Sequence, residues 1–224
     1  MISLLLSLLT VLPGWQDASV NQVNRLEMCA TLETTYPVLS LDGTWKFRWY
    51  DSPEGRDTQF FSPGVDDSSW ETMPVPGMWE LNGYGEPMYL NIGYPWRWHY
   101  KNNPPTVPEE HNYVGQYRRV FSVPSDWIGK QINLCIGSAT SNVRVWVNGK
   151  EVGYSQDSKL EARFDLTRFV RAGENLIALE IFRWCDGTYL EDQDFNRFAG
   201  IARGVFVYTR ENEGIADLRV SGDM

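Results

Sequence analysis

The most chemically loaded stretch of this 224-residue sequence is 186–199, DGTYLEDQDFNRFA, which sets four acids, Asp186, Glu191, Asp192 and Asp194, close to Arg197. Three uses fit such a group. Carboxylate oxygens can ligate a hard cation, they can accept hydrogen bonds from sugar hydroxyls, or they can form a solvated acidic turn. The spacing is not that of an EF-hand loop, which needs a central Gly and a terminal Glu. A glycosidase pair drawn from these acids needs two carboxyl groups about 5–5.5 Å apart, a distance that only the fold can set. GxSxG, the P-loop, GxGxxG and HExxH are all absent, and the two histidines, His99 and His111, have no metal-ligand spacing. Cys29, Cys135 and Cys185 make neither a CxxC pair nor an even disulfide set and are read as buried free thiols.

The acidic loop follows a run, 176–184 (LIALEIFRW), that reads as a strand, so the loop belongs at one edge of a sheet. Residues 44–50 (TWKFRWY) alternate Trp45, Phe47 and Trp49 with Lys46 and Arg48, the period of a half-buried strand. Further strands are expected at 116–123, 131–136, 142–147, 150–154, 204–210 and 215–220, and one helical turn at 166–171. Asn148-Gly149 supplies the positive φ angles of a tight hairpin turn between two of them. A second long loop, 74–108, carries seven prolines interleaved with Tyr and Trp, and loops of that length are uncommon without a function. Many short strands at regular spacing predict an all-β domain, a β-sandwich or jelly roll.

Lys and Arg total 20 against 29 Asp and Glu, a net charge of −9. That balance disfavours nucleic acid and anionic membrane as partners. Ten Trp, 11 Tyr and 10 Phe suit either a strand-rich core or a carbohydrate-facing surface. Residues 1–12 (MISLLLSLLTVL) resemble the apolar part of a signal peptide but lack preceding basic residues and a clean cleavage site. The segment is shorter than the ~20 residues of a spanning helix. A periplasmic or secreted location follows if it is a signal, and a cytoplasmic one otherwise.

Several long motifs carry a resemblance. RWCDGTYLEDQDFNRFAGIAR (183–203), VPGMWELNGYGEPMYLNIGYPW (75–96) and VNGKEVGYSQDSKLEARFDLT (147–167), with DGTWKF (42–47), NNPPTVPEE (102–110) and WQDASVNQVNRL (15–26), resemble the N-terminal sugar-binding domain of glycoside hydrolase family 2 β-galactosidases. The resemblance runs in order over 15–220. It implies an all-β, jelly-roll β-sandwich of the galactose-binding type, with an irregular N-terminal arm (1–40), a sugar-binding domain (41–211), and at 212–224 the start of a linker or an immunoglobulin-like domain.

The resemblance also implies a function. The parent enzyme is a retaining hydrolase of terminal β-D-galactose whose two catalytic Glu lie in a TIM barrel. No catalytic residue is expected within this chain, which alone is expected to be inactive; Asn212-Glu213 lacks the surrounding motif of an acid/base. Asn91 matches a galactose-contacting Asn, and Asp194 an Asp that meets the galactose 6-hydroxyl region and ligates Na⁺. Gln156 and Asp186 match ligands of a structural Mg²⁺, completed by Asp17 and the Val20 carbonyl. Gly14 stands where that site often has an Asp, and Gly204 where an acidic residue is common. Expected partners are a galactoside, the barrel and further copies of the parent chain, with Mg²⁺ and Na⁺ weak or absent on this chain alone. The alternative is a stand-alone carbohydrate-binding module without catalysis.

Overall fold

The computed structural model describes residues 14–28, 36–215, 218 and 220–222. The signal-like segment 1–12 and Cys29 lie outside the described residues, as do residues 216, 217 and 219 of the expected last strand; its described residues form no strand. Among the described residues no helix is long and apolar enough to cross a membrane.

The chain opens with the short strands β1 (Gln22–Val23) and β2 (Val38–Ser40), then β3 (Gly43–Tyr50), β4 (Glu71–Val75), β5 (Gly77–Met78) and β6 (Met88–Leu90). The central strands are β7 (Val114–Val123), β8 (Gln131–Ile136), β9 (Ala139–Thr140), β10 (Val143–Val147), β11 (Lys150–Ser155), β12 (Ala162–Asp165) and β13 (Gly173–Phe182). One helical turn, α1 (Thr188–Glu191), precedes β14 (Phe195–Arg197), β15 (Gly200–Ile201) and β16 (Val205–Arg210). A seven-stranded sheet, β1-β11-β10-β13-β7-β3-β4, faces a four-stranded one, β12-β8-β16-β2, and two small sheets, β14-β6 and β5-β15-β9, sit among the loops. This is the expected all-β jelly-roll sandwich.

The period-two residues make the core. Trp45 and Phe47 of β3, Tyr117 and Phe121 of β7, Val143, Val145 and Val147 of β10 and Ile177, Leu179 and Ile181 of β13 meet Ile132, Leu134 and Ile136 of β8, Phe164 of β12 and Val205 and Val207 of β16. Each such side chain, fully buried, contributes about 1.5–3 kcal/mol against exposure. The β10–β11 hairpin forms as expected: Asn148 has φ 52° and Gly149 φ 79°. Residues 166–171 make the single expected turn, with the Phe169 and Val170 N–H groups donating to the Leu166 carbonyl.

Two differences have physical causes. The strand expected at 176–184 is β13 and starts earlier, where Gly173 at φ 79° turns the chain into register with Val123. It ends at Phe182, after which the Arg183 N–H donates to the Tyr113 carbonyl. Among the described residues of the N-terminal segment expected at 1–40, β1 adds to β11 and β2 adds to β16.

The rings are divided between the core and two satellite clusters. Residues 51–70 cover the outer face of the large sheet with Phe60 and Trp70 against Trp146 and Ala178. Buried Arg118 pins that loop, with Nε on Asp67 Oδ2 at 2.7 Å and Nη1 on the Ser62 carbonyl at 2.9 Å. The proline-rich loop is seated on Trp15, Trp96, Val107, Phe182 and Trp184. Trp15 stacks on Phe182 at 5.0 Å and Trp96 meets Trp184 edge-on at 5.3 Å. Cys135 and Cys185 are buried free thiols, and burial pushes both up to about 12, the inert state expected for them.

Candidate functional site

The proline-rich and acidic loops meet at the β6–β14 ladder. Met88 pairs with Arg197, Tyr89 with Asn196 and Leu90 with Phe195. β6 ends at Leu90 and β14 begins at Phe195, so Asn91 directly follows and Asp194 directly precedes the last pair of the ladder. The Tyr89 hydroxyl donates to Asp194 Oδ1 at 2.7 Å, which ties the acidic loop to β6. Both Asn91 and Asp194 are exposed.

The edge is held from behind. Arg197 reaches back with Nε on Asp192 Oδ1 at 2.6 Å and Nη1 on the Leu90 carbonyl at 2.8 Å, tying the two loops together. The Tyr94 hydroxyl donates to the Tyr189 carbonyl at 3.2 Å, and the Tyr189 hydroxyl to the Thr106 carbonyl at 2.8 Å. Trp98 stands 81% exposed beyond Asn91, with the Arg97 guanidinium 4.6 Å above its ring. An exposed indole on the same loop as an exposed amide adds a stacking group to a hydrogen-bonding one.

The four acids of 186–199 are distributed to separate partners. Asp186 accepts from Gln156 Nε2 at 2.7 Å, Glu191 accepts from the Ser158 N–H and hydroxyl, Asp192 pairs with Arg197 and Asp194 accepts from Tyr89. Behind Asp192 a cavity of about 40 Å³ is lined by Ser158, Lys159, Trp184, Glu191, Phe195 and Arg197. It is on the scale of buried water and not of a hexose. Burial lowers the Lys159 ammonium, against the opposing charge of Glu191.

The residues expected around Mg²⁺ gather where the arm crosses the sheet. The Asp186 N–H donates to the Trp15 carbonyl at 2.9 Å and the Gln156 N–H to the Asn21 carbonyl at 3.0 Å. Burial raises the Asp186 carboxyl, opposed by the Gln156 hydrogen bond and reinforced by the Asp17 charge. Asp17 Oδ1 accepts the Ser19 N–H and hydroxyl, and the Val20 N–H donates to the Asp17 carbonyl. Mg²⁺ demands a near-octahedral oxygen shell. Here Gln156 offers its amide nitrogen to Asp186 and Tyr154, and Gly14 brings no carboxylate. Arg144 Nη2 lies 4.0 Å from where a Gly14 Cβ would stand. No three of the described His, Cys, Asp or Glu residues form a metal-holding group. These donors do not fit Mg²⁺ as they stand, and hydrogen bonds fasten the arm. At Asp194, one exposed carboxylate with an oxygen already engaged is likewise no cage for Na⁺. Gly204 has a physical correlate too, since a Cβ there would stand 3.2 Å from Asp42 Oδ2. Asp42 Oδ1 accepts the Val205 N–H at 2.8 Å.

Two supporting residues escaped sequence reasoning. Tyr89 had a usable signal, its i, i+2 spacing from Asn91. Glu80, with its side chain fully buried, accepts the Ala199 N–H and lies 4.0 Å from Arg183; nothing local in the sequence marks it.

Comparison with known proteins shows the family of the chain. The family described as "Glycosyl hydrolases family 2, sugar binding domain" matches residues 38–211. A Beta-galactosidase of Vibrio vulnificus is 44% identical over 186 residues, covering 83% of this chain and 18% of that protein. One of Priestia megaterium is 40% identical over 185 residues, with the same shares of 83% and 18%. A "Beta-galactosidase 2" of Enterobacter cloacae is 37% identical over 236 residues, covering 100% of this chain and 22% of the relative. The chain thus spans about a fifth of the length of these curated relatives. Among solved structures, a Bacteroides uniformis beta-glucuronidase superimposes with a TM-score of 0.60 at 23% identity, over 80% of this chain and 18% of that one. That likeness shows the fold.

Proposed function

Because the chain belongs to the sugar-binding domain family of the family 2 glycosyl hydrolases, we propose that it is the sugar-contacting N-terminal part of a retaining β-galactosidase. It presents Asn91 and Asp194 to a terminal β-D-galactose whose bond is cleaved by carboxylates on a neighbouring barrel. The observation that supports this reading is the pairing of β6 with β14, at the end of which Asn91 follows Leu90 and Asp194 precedes Phe195. The printed names of the curated relatives support galactose as the sugar.

The chemistry assigned to this chain is orientation. The Asn91 amide both donates and accepts, whereas the Asp194 carboxylate only accepts, so together they discriminate among hydroxyl positions on a ring. Tyr89 holds Asp194 in place and Arg197 holds the two loops in register. An open edge buries little of a ligand, so the chain alone binds galactose weakly.

The test is a chimera in which this chain replaces the corresponding segment of the Priestia megaterium relative. Nitrophenyl-β-galactoside turnover should fall about 10- to 100-fold in Asp194→Ala and in Asn91→Ala, the loss of one or two good hydrogen bonds. Nitrophenyl-β-glucuronide should be a poor substrate throughout. Undiminished turnover in both variants overturns the assignment. Submillimolar galactose affinity of the chain by itself, in calorimetry, would favour a stand-alone binding module.

A further inference from the structure

Among the described residues Trp98 is the only exposed tryptophan, whereas Trp96, two residues earlier, is fully buried. The turn around them is fixed by hydrogen bonds. The Trp96 indole donates to Asn102 Oδ1 at 2.9 Å, and its ring stacks on Tyr94 with centroids 5.4 Å apart. The Trp96 carbonyl accepts the His99 N–H at 3.1 Å and the Tyr100 N–H at 2.9 Å. These bonds span the backbone of Trp98 and leave its side chain outside.

The exposed ring is held from one face. The Arg97 guanidinium lies 4.6 Å over it, and Nη1 of the same group donates to the Ile92 carbonyl. Gly93, at φ 77°, gives that arm its path, since a Cβ there would stand 3.2 Å from Arg97 Cδ. A cation stacked on one face of an indole leaves the other face open. The ring is therefore a guanidinium's width from Ile92, the residue that follows Asn91. Two residues before Asn91, Tyr89 is bonded to Asp194. Along the chain, Asn91 thus lies between a segment tied to a carboxylate and a segment tied to an open ring.

The two halves of a galactoside call for different groups. Galactose presents hydroxyls, which an amide and a carboxylate can read. The group joined to it, the aglycone, presents an aryl ring or the C–H face of a second sugar, which a rigid indole can cover. We propose that Trp98 determines specificity for the aglycone, its open face stacking on the group that leaves galactose. This rests on the reading of Asn91 and Asp194 as galactose contacts. Arg97 braces the indole from behind, so the ring needs little ordering when the aglycone arrives.

The test uses the chimera described above and compares two substrates. In Trp98→Ala, kcat/KM for nitrophenyl-β-galactoside should fall about 3- to 10-fold, the worth of one ring stack. For methyl β-galactoside, whose aglycone has no face to stack, it should stay unchanged, and so should inhibition by free galactose. Trp98→Phe should restore most of the nitrophenyl turnover. Equal losses on both substrates overturn the proposal and are what a Trp98 packed against the barrel would give. No loss on either overturns it too. Asn91→Ala, by contrast, should weaken galactose inhibition and both substrates alike. Galactose inhibition untouched by Asn91→Ala counts against the galactose contact, while the nitrophenyl-to-methyl ratio in Trp98→Ala still reports on the indole.

Discussion

The Tyr89 hydroxyl donates to Asp194 Oδ1 at 2.7 Å across the end of the β6–β14 ladder. The phenol is raised in consequence, first by the hydrogen bond and then by the carboxylate's charge. Asp194→Ala should therefore return the Tyr89 titration toward the ordinary tyrosine value, and Asn91→Ala should leave it where it is. A pH titration followed at the Tyr89 ring signals reads this directly. A curve unmoved by Asp194→Ala would mean that the two side chains do not meet in solution.

Arg197 and Asp192 have side chains only 10% and 8% exposed. Removing the cation from a buried pair strands a charge and costs about 3–5 kcal/mol, so Arg197→Ala should lose about that much in urea denaturation at neutral pH. Burial already lifts the Asp192 carboxyl, with Arg197 pulling the other way. Without the guanidinium it rises further, so the deficit should shrink on acidification as Asp192 takes up a proton. A deficit that grows with acid would contradict the pairing.

Glu80, Glu180, Asp186 and Asp192 are all raised, in each case first by burial. A carboxyl raised in the folded state favours folding when protonated, and that contribution is lost as pH climbs through its folded pKa. Asp17 and Asp66 are lowered, first by hydrogen bonds from the Ser19 side chain and the Ser68 backbone, so their contribution fades only in stronger acid. The thermal midpoint should therefore rise on mild acidification from neutral pH toward the upper end of the carboxylate range before falling in stronger acid. A steady decline over that interval would show that ion pairing outweighs burial.

Asn148 does two things in the β10–β11 turn. It holds φ at 52°, and its side chain accepts the Leu176 N–H at 3.0 Å while donating to the Phe169 carbonyl at 2.9 Å and Asn175 Oδ1 at 2.8 Å. Asn148→Ala should cost about 2–4 kcal/mol. Asn148→Gly, which keeps the backbone freedom and loses only the bonds, should cost about 1 kcal/mol less. Equal losses in denaturant titrations would place the whole effect in the hydrogen bonds.

Legibility in the sequence followed the length of the repeating pattern. β3, β8, β10 and β16 alternate over five to eight residues, and each was visible because burial on one face leaves that imprint. β5, β9 and β15 pair through two residues each, too few to show a period. The loop 51–70 is held largely by Arg118 on carbonyl oxygens, and a carbonyl has no letter in the sequence. Asn91 and Asp194 came from family resemblance, since an exposed Asn in a turn looks like any other. That they flank the Leu90–Phe195 pair is a matter of register, which only the folded chain displays. Gln156 and Asp186 are hydrogen-bonded to each other, but the orientation of the Gln156 amide and the nearness of Arg144 to Gly14 are properties of space and not of order.

The two-residue strand Gln22–Val23 pairs with Tyr154 and Ser155 at one rim of the large sheet, and the opposite rim carries Pro74, which has no N–H to lend a newcomer. A very short edge strand and an edge proline each make a rim a poorer seed for fibril growth. The segment that crosses the domain thus also takes up backbone groups that a second copy could otherwise pair with.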